Sequence, residues 1–351
     1  MSKLKPIGRP GWTRRQALGL AGGAASLALL SSRGVSAKAS QLVVATGGGK
    51  LENAYKKSIF TPFTEKTDIE IVTTSNPLAK LKAMVEQGQV EWDVVQAPPE
   101  QLLLLGREGM LEPIDYSVVD KTNLIAGAAR KDLVLTDVAA YHVAWNTENV
   151  TANPPQNWAE MWAYDGRIGL WKRPYQTLEA ALLADGVAMD ELYPLDVERG
   201  LKSLGKIRDK LVWWERGAQG AQLLLDGEVD VGAIWNGRVH QPKLDGAPVD
   251  FTFDQAVFVN DAWAVPKGAP NAKEAMELIN FCLSPKAQAD YSREIPYGPV
   301  NKEAFALLDD RTKEALPSSP QNYDKGILLD LDYWVDNGQK VSERFNEWLL
   351  S

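Results

Sequence analysis

From residue 41 onward the chain alternates short apolar runs with amphipathic ones. Gln41-Leu42-Val43-Val44-Ala45-Thr46 is apolar and β-branched and predicts a strand, closed by Gly47-Gly48-Gly49. A helical period covers 51–65. Asp68-Ile69-Glu70-Ile71-Val72-Thr73 alternates at period two, which predicts a second strand. Residues 78–87 read as helix, and 93–96 as a short buried strand stopped by Pro98-Pro99. Residues 100–108 read as helix, ended by Gly109. After Pro154-Pro155 the alternation resumes. Helices are predicted over 157–162, 177–183, 197–210, 221–225, 271–282 and 285–292. Strands are predicted over 167–171, 229–235 and 261–265. Strands separated by helices of this length predict an α/β fold with mostly parallel sheets. No internal repeat or low-complexity linker breaks the chain, so it is expected to cross between two lobes more than once. Ligands of such sheets bind beyond the carboxyl ends of the strands, here the cleft between the lobes.

The first forty residues follow another pattern. Lys3, Lys5, Arg9, Arg14 and Arg15 precede an apolar, small-residue run from Ala17 to Leu30. That run is 14 residues long, short of the roughly 20 a spanning helix needs. Val35-Ser36-Ala37 and Ala37-Lys38-Ala39 both fit a small-x-small cleavage site. This order is a secretory leader, removed near Ala37 or Ala39. Thr13-Arg14-Arg15-Gln16-Ala17-Leu18 adds a twin-arginine signature, although Ala17 and Gly19 depart from its usual residues. The expected organisation is a signal peptide over 1–37, a first lobe from 40–147 plus 262–302, and a second from 148–261 plus 303–351.

Composition narrows the function. The 351 residues are 45% hydrophobic and 24% charged, ordinary for a globular protein. The formal charge is −8. The leader carries six Lys/Arg and no acid, so its loss takes the charge to −14. An acidic surface of this size argues against nucleic acid or anionic lipid as partner. The single cysteine, Cys282, sits in an apolar run and cannot form an internal disulfide. It is far from the leader, so no lipid-modified N-terminal cysteine is expected. Only His142 and His240 are present, and no Cys/His group has metal spacing. There is no Gly-x-Ser-x-Gly elbow. Gly47-Gly48-Gly49-Lys50 lacks the spacing and the hydroxyl residue of a phosphate loop. It reads instead as a tight turn that lets a ligand approach backbone N–H groups. Neither a cofactor nor a metal is expected.

The stretch richest in binding chemistry is Gly227-Glu228-Val229-Asp230-Val231-Gly232-Ala233-Ile234-Trp235-Asn236-Gly237-Arg238. A buried strand there delivers an aromatic ring, an amide and a guanidinium at its carboxyl end. Three further pieces are Asp261-Ala262-Trp263-Ala264-Val265-Pro266, the helix over 275–283 with Ser284-Pro285, and Ile295-Pro296-Tyr297-Gly298-Pro299-Val300-Asn301. Taken together, these resemble the spermidine/putrescine-binding family of periplasmic solute-binding proteins, which feed ABC importers. The resemblance covers essentially the whole mature chain. It implies a two-lobed type II binding fold that closes on its ligand by a hinge, an inner-membrane permease as partner, a monomer, and no enzymatic activity. It also implies that Trp235 flanks the ligand, Asp261 pairs with an amine and Tyr297 lines the cleft.

Departures from that family redirect the ligand. Where polyamine binders carry a pair of acids, after the strand ending at Trp171, this chain has Arg173 and Gln176. Val259 stands for a tryptophan, Val335 falls near the family's late glutamine, and Arg238 takes the place of a small residue. A diamine needs an anion at each end. Asp261 with an arginine suits one ammonium and one carboxylate, which arginine binds with two parallel hydrogen bonds. The expected ligand is therefore a short zwitterion, with 4-aminobutyrate the favoured shape; some relatives of the polyamine binders capture it. Gln219 or Gln222 could hydrogen-bond the carboxylate. Gly47 and Ala97, at the ends of the first and third strands, complete the expected site. Each has a structural alternative: Arg238 as half of a surface ion pair, Arg173 as an exposed basic edge beside Lys172, Tyr297 as part of its turn. Trp213-Trp214 reads as core. Two competing functions are a true polyamine binder, with Glu215 or Asp254 replacing the lost acids, and an enzyme on the same fold.

Overall fold

A computed structural model describes residues 41–351. The expected leader, with its twin-arginine signature and cleavage sites, lies outside these residues. Twelve strands form two sheets. In chain order they are β1 (Gln41–Thr46), β2 (Glu70–Ser75), β3 (Val94–Ala97), β4 (Val134–Leu135), β5 (Ala139–Asn146), β6 (Ile168–Trp171), β7 (Leu211–Trp214), β8 (Val231–Trp235), β9 (Val249–Phe251), β10 (Val257–Val259), β11 (Ala262–Ala264) and β12 (Ile327–Leu328). The first sheet has the order β2-β1-β3-β11-β4 and the second β12-β10-β5-β8-β6-β7, with β9 paired to β5. β1 runs parallel to β2 and β3, as does β6 to β7 and β8. β5 and β11 are antiparallel insertions.

The chain leaves the first sheet after Leu135 and enters the second at Ala139. It returns between Val259 and Ala262. The expected change of lobe at 147 falls a whole strand later than this crossover, because β5 pairs within the second sheet. Every residue of β5 is buried. With both faces covered, no polar alternation marks the strand in the sequence. Its His142 ring stacks on Phe251 at 4.7 Å, and burial pushes its pKa down to about 4, so it stays neutral.

Other departures have local causes. The helix expected over 51–65 starts at Gly49, widens to a π turn over Lys56–Phe60 and resumes over Thr61–Thr67. Pro62, at the start of that third piece, has no N–H for the carbonyl one turn back and crowds it, and a wider turn accommodates this. The helix ends at Asp68 in the left-handed region (φ 59°), which moves β2 to 70–75. The helix expected to reach 210 stops at Gly205, and Leu211–Trp214 becomes a strand. The C-terminal helix Leu331–Leu350 buries Leu331, Trp334, Val341 and Phe345. One continuous apolar core runs beneath both sheets, and Cys282 lies inside it. No helix among the described residues is long and apolar enough to cross a membrane.

Candidate functional site

The first two of the three crossovers between the sheets are sewn together. Thr136 N–H donates to the Asp261 carbonyl at 2.9 Å, and Asn260 Nδ2 to the Asp137 carbonyl at 2.6 Å. The Asp261 N–H donates to Asp137 Oδ1 at 2.9 Å. Asp261 thus opens β11 at the junction of the sheets, where backbone rather than a cation partner fixes it. Its Oδ1 accepts Gln96 Nε2 at 2.7 Å, and Gln96 Oε1 in turn accepts the Gly47 N–H at 3.1 Å. Gln96 is the polar residue of the otherwise apolar β3. Ala97 beside it is buried and pairs with Ala262, so only its backbone is presented. Gly48 and Gly49 hold positive φ (76° and 68°), which lets the β1 turn fold tightly.

From the second sheet, β8 delivers Trp235 directly into the helix Asn236–Leu244. Asn236 is fully buried: its Oδ1 accepts the Ala140 N–H at 2.9 Å, and its amide donates to the Pro296 carbonyl. That pair fixes the turn against β5 and against the loop bearing Tyr297. Trp235 donates its indole N–H to Gln176 Oε1 at 2.9 Å. Gln176 has φ 64°, a strained value for a side-chain-bearing residue and one that clusters at functional sites. Trp235 meets Trp171 edge-on at 4.9 Å and Trp214 at 5.2 Å; Trp171 and Trp214 stack at 6.0 Å. Trp214 is buried beneath this platform, while Trp213 packs on Phe345 and Trp348, away from it.

The structure brings Trp235, Arg238, Asp261 and Tyr297 into one cluster. A Cβ on Gly217 would stand 2.9 Å from Trp235 Cζ3 and 3.0 Å from Arg238 Nε. A Cβ on Gly237 would stand 2.6 Å from Tyr297 Cε1. Burial raises the Tyr297 hydroxyl pKa well above its usual value, the charges of Asp261 and Asp137 add to this, and Arg238 opposes it. Tyr297 therefore lies within electrostatic reach of acid and guanidinium alike. Arg238 is exposed and, among the described residues, makes no ion pair or hydrogen bond. Arg173 is likewise exposed and unpaired; its charge acts on Tyr175.

Two expected contributors are engaged elsewhere. Gln219 Oε1 accepts the Glu215 N–H at 3.0 Å, just ahead of its own helix, and Gln222 donates to Asp226 at 2.6 Å. The acids weighed for a polyamine site are also taken: Glu215 pairs with Lys172 at 3.3 Å and Asp254 with Lys325 at 3.8 Å. A further acid does face the cluster. Glu100, in the first turn of the helix Pro99–Arg107, is pushed up to about 7 by burial and then by the charge of Asp261; its own charge acts on Tyr175. Its sequence signal was an acid directly after Pro98-Pro99, where the helix leaves the carboxyl end of β3. The signal for Gln176 was its place in the loop where the acid pair is missing. A cavity of about 1080 Å³ adjoins the cluster, lined by Gly237, His240, Phe251 and Pro296 but by none of the four residues themselves.

The arrangement groups packed aromatic rings with an acid held by the Gln96 amide and an exposed, unpaired guanidinium. No group of acids, histidines or cysteines among the described residues could hold a metal ion. Comparison with known proteins gives this arrangement a family. Residues 58–318 match the bacterial extracellular solute-binding proteins. A gamma-aminobutyric acid-binding protein of Pseudomonas aeruginosa is 35% identical over 323 residues, 89% of this chain and 92% of its own. Spermidine/putrescine-binding periplasmic protein 1 of Haemophilus influenzae is 27% identical, over 78% of this chain and 79% of its own. A solved ABC transporter substrate-binding protein from Bradyrhizobium japonicum is 34% identical with a TM-score of 0.84, covering 88% of this chain and 99% of that one. Such proteins are periplasmic, bind a small molecule and work with a permease. The chain belongs to the bacterial extracellular solute-binding proteins, with a type II periplasmic-binding fold, and is the solute-capturing component of an ABC transporter, not an enzyme.

Proposed function

We propose that this protein captures a short zwitterionic amino acid, 4-aminobutyrate above all, and presents it to its permease once two lobes close on it. The first sheet builds one lobe and the second the other, with the hinge at 136–138 and 260–261. The observation that carries this reading is the pair of opposite charges left without counter-ions around one aromatic platform: Asp261 on one side, Arg238 on the other. An ammonium on Asp261, a three-carbon linker against Trp235 and Tyr297, and a carboxylate on Arg238 would satisfy both ends. Arg173 and the backbone N–H of Gly47 complete the lining. The name of the Pseudomonas relative agrees with this chemistry. A second reading, a polyamine binder, draws support from Glu100, an acid near Asp261. The mature chain, cleaved near Ala37 or Ala39 after twin-arginine export, acts as an untethered monomer.

Titration calorimetry separates the readings. The expected result is tight binding of 4-aminobutyrate and at least about a hundredfold weaker binding of putrescine and spermidine, whose second ammonium would face Arg238. Tight putrescine binding with no heat from 4-aminobutyrate would replace the amino-acid reading with the polyamine one.

Gly217→Ala is a finer probe. Gly217 is the first residue of the helix Gly217–Leu225, where alanine gains less than the roughly 1 kcal/mol of an interior position. The alanine methyl, however, intrudes on both Trp235 and Arg238. Thermal stability should hold, while affinity for 4-aminobutyrate falls by about tenfold. Unchanged affinity would show that Trp235 and Arg238 need not keep these positions.

A further inference from the structure

The hinge holds a carboxyl that the site just described does not use. Asp137 lies between β4 and β5 and is wholly buried. Its Oδ1 accepts the Asp261 N–H, and its Oδ2 accepts the Tyr291 hydroxyl at 2.8 Å. Five titratable groups act on it or feel its charge. These are Asp261 from the other crossover, Tyr55 from the helix Gly49–Tyr55, Cys282 from the helix Ala272–Cys282, Tyr291 from the helix Pro285–Glu294, and Tyr297 from the loop that follows. None is a cation, and Asp137 makes no ion pair among the described residues. Asp261, its one acidic neighbour, is itself without a cation.

Two adjacent carboxyls in such a place cannot both be charged cheaply. Burial first, and then the charge of Asp261, raise Asp137 well above the usual carboxylate range. Burial raises Asp261 as well, with the Gln96 hydrogen bond opposing. Before ligand arrives, a proton on Asp137 leaves the pair with a single negative charge, on Asp261, the less deeply buried of the two. An ammonium docked on Asp261 adds one positive charge. If Asp137 then loses its proton to solvent, the net charge of the cluster is again minus one. The Tyr291 hydroxyl can serve either state, accepting from the acid or donating to the carboxylate.

We propose that Asp137 is a positioning residue for the ligand's ammonium group: it fixes Asp261 through that residue's backbone N–H and gives up its own proton as the ammonium binds. Solute capture is thereby an exchange of one cation for another at the hinge. This rests on the amino-acid reading of the site. A simple hinge staple would hold Asp261 equally well but would leave only the pH dependence that Asp261 and Glu100 themselves give, unchanged when Asp137 is replaced.

Calorimetry of 4-aminobutyrate with the wild-type protein in phosphate and in MOPS, which differ in ionisation enthalpy, counts the protons. The expected result is release of a substantial fraction of a proton, with affinity rising about tenfold between pH 6 and pH 8. Asp137→Asn keeps an acceptor for the Asp261 N–H and should fold. It should bind more weakly, release a clearly smaller fraction of a proton than wild type, the remainder coming from Asp261 and Glu100, and show a shallower rise in affinity over the same range. Tyr291→Phe removes a donor that favours the carboxylate, so its rise in affinity should move to higher pH. Equal heats in both buffers for a wild-type protein that binds, or undiminished proton release in Asp137→Asn, would overturn the proposal and leave the amino-acid reading standing. A wild-type protein that does not bind 4-aminobutyrate would overturn both.

Discussion

Arg238→Ala should weaken 4-aminobutyrate binding by about a hundredfold or more, and should hardly change the fold. The expected size follows from the cost of removing one partner of a charge pair enclosed on ligand binding, about 3 kcal/mol. The expected selectivity follows from the structure. Arg238 is exposed and makes no hydrogen bond or ion pair among the described residues, so the free protein has little to lose with it. Melting temperature should stay within a degree or two while affinity collapses. Arg238→Lys keeps the charge but not the planar fork, and should fall between, near tenfold. Calorimetry and a thermal melt on the same samples check both halves. A melting temperature that drops together with affinity would show that Arg238 supports the lobe and not the solute.

Asp261→Asn should produce a similar loss of affinity, a hundredfold or greater, with equal or higher stability. The amide can still accept from Gln96, and the backbone N–H still reaches Asp137. What disappears is the anion that would hold the ammonium, and with it the repulsion against Asp137. Both acids have pKa values raised by burial. For such groups the folded state binds protons more tightly than the unfolded one. Their contribution to stability is fully present below the ordinary carboxylate range and is lost as pH rises from there through the raised values. Asp261→Asn removes that loss at one of the two acids, so the variant's advantage in melting temperature should grow from pH 5 to pH 8. A lower melting temperature at pH 8 than wild type would mean that Asp261 is a structural anion and not a strained ligand contact.

Much of this was legible before any coordinates. β1 and β3 announce themselves as β-branched runs stopped by Gly47 and by Pro98-Pro99. The carboxyl end of β8 carries Trp235 and Arg238 together because a strand running straight into a helix presents successive residues at one edge. What stayed hidden has two causes. β5 is covered on both faces, so it has no period to detect, and the true crossover at 136–138 went unmarked although Thr136-Asp137 interrupts two apolar runs. The second cause is that side chains choose partners locally. Gln219 and Gln222 lie on the right helix, yet each finds a closer partner, Glu215 and Asp226 respectively. Gln176 was noticed only as a missing acid; its role is to hold the indole of Trp235. Glu100 and Asp137 gain their chemistry from burial beside Asp261, a fact of tertiary packing that no linear spacing encodes.

The most direct measurement is a crystal structure of the protein with 4-aminobutyrate bound. The predicted result places the amino nitrogen within about 3 Å of the Asp261 carboxylate and both carboxylate oxygens on the Arg238 guanidinium, with the carbon chain between Trp235 and Tyr297. A ligand bound with its carboxylate away from Arg238, or seated outside the cluster of Trp235, Asp261 and Tyr297, would contradict it.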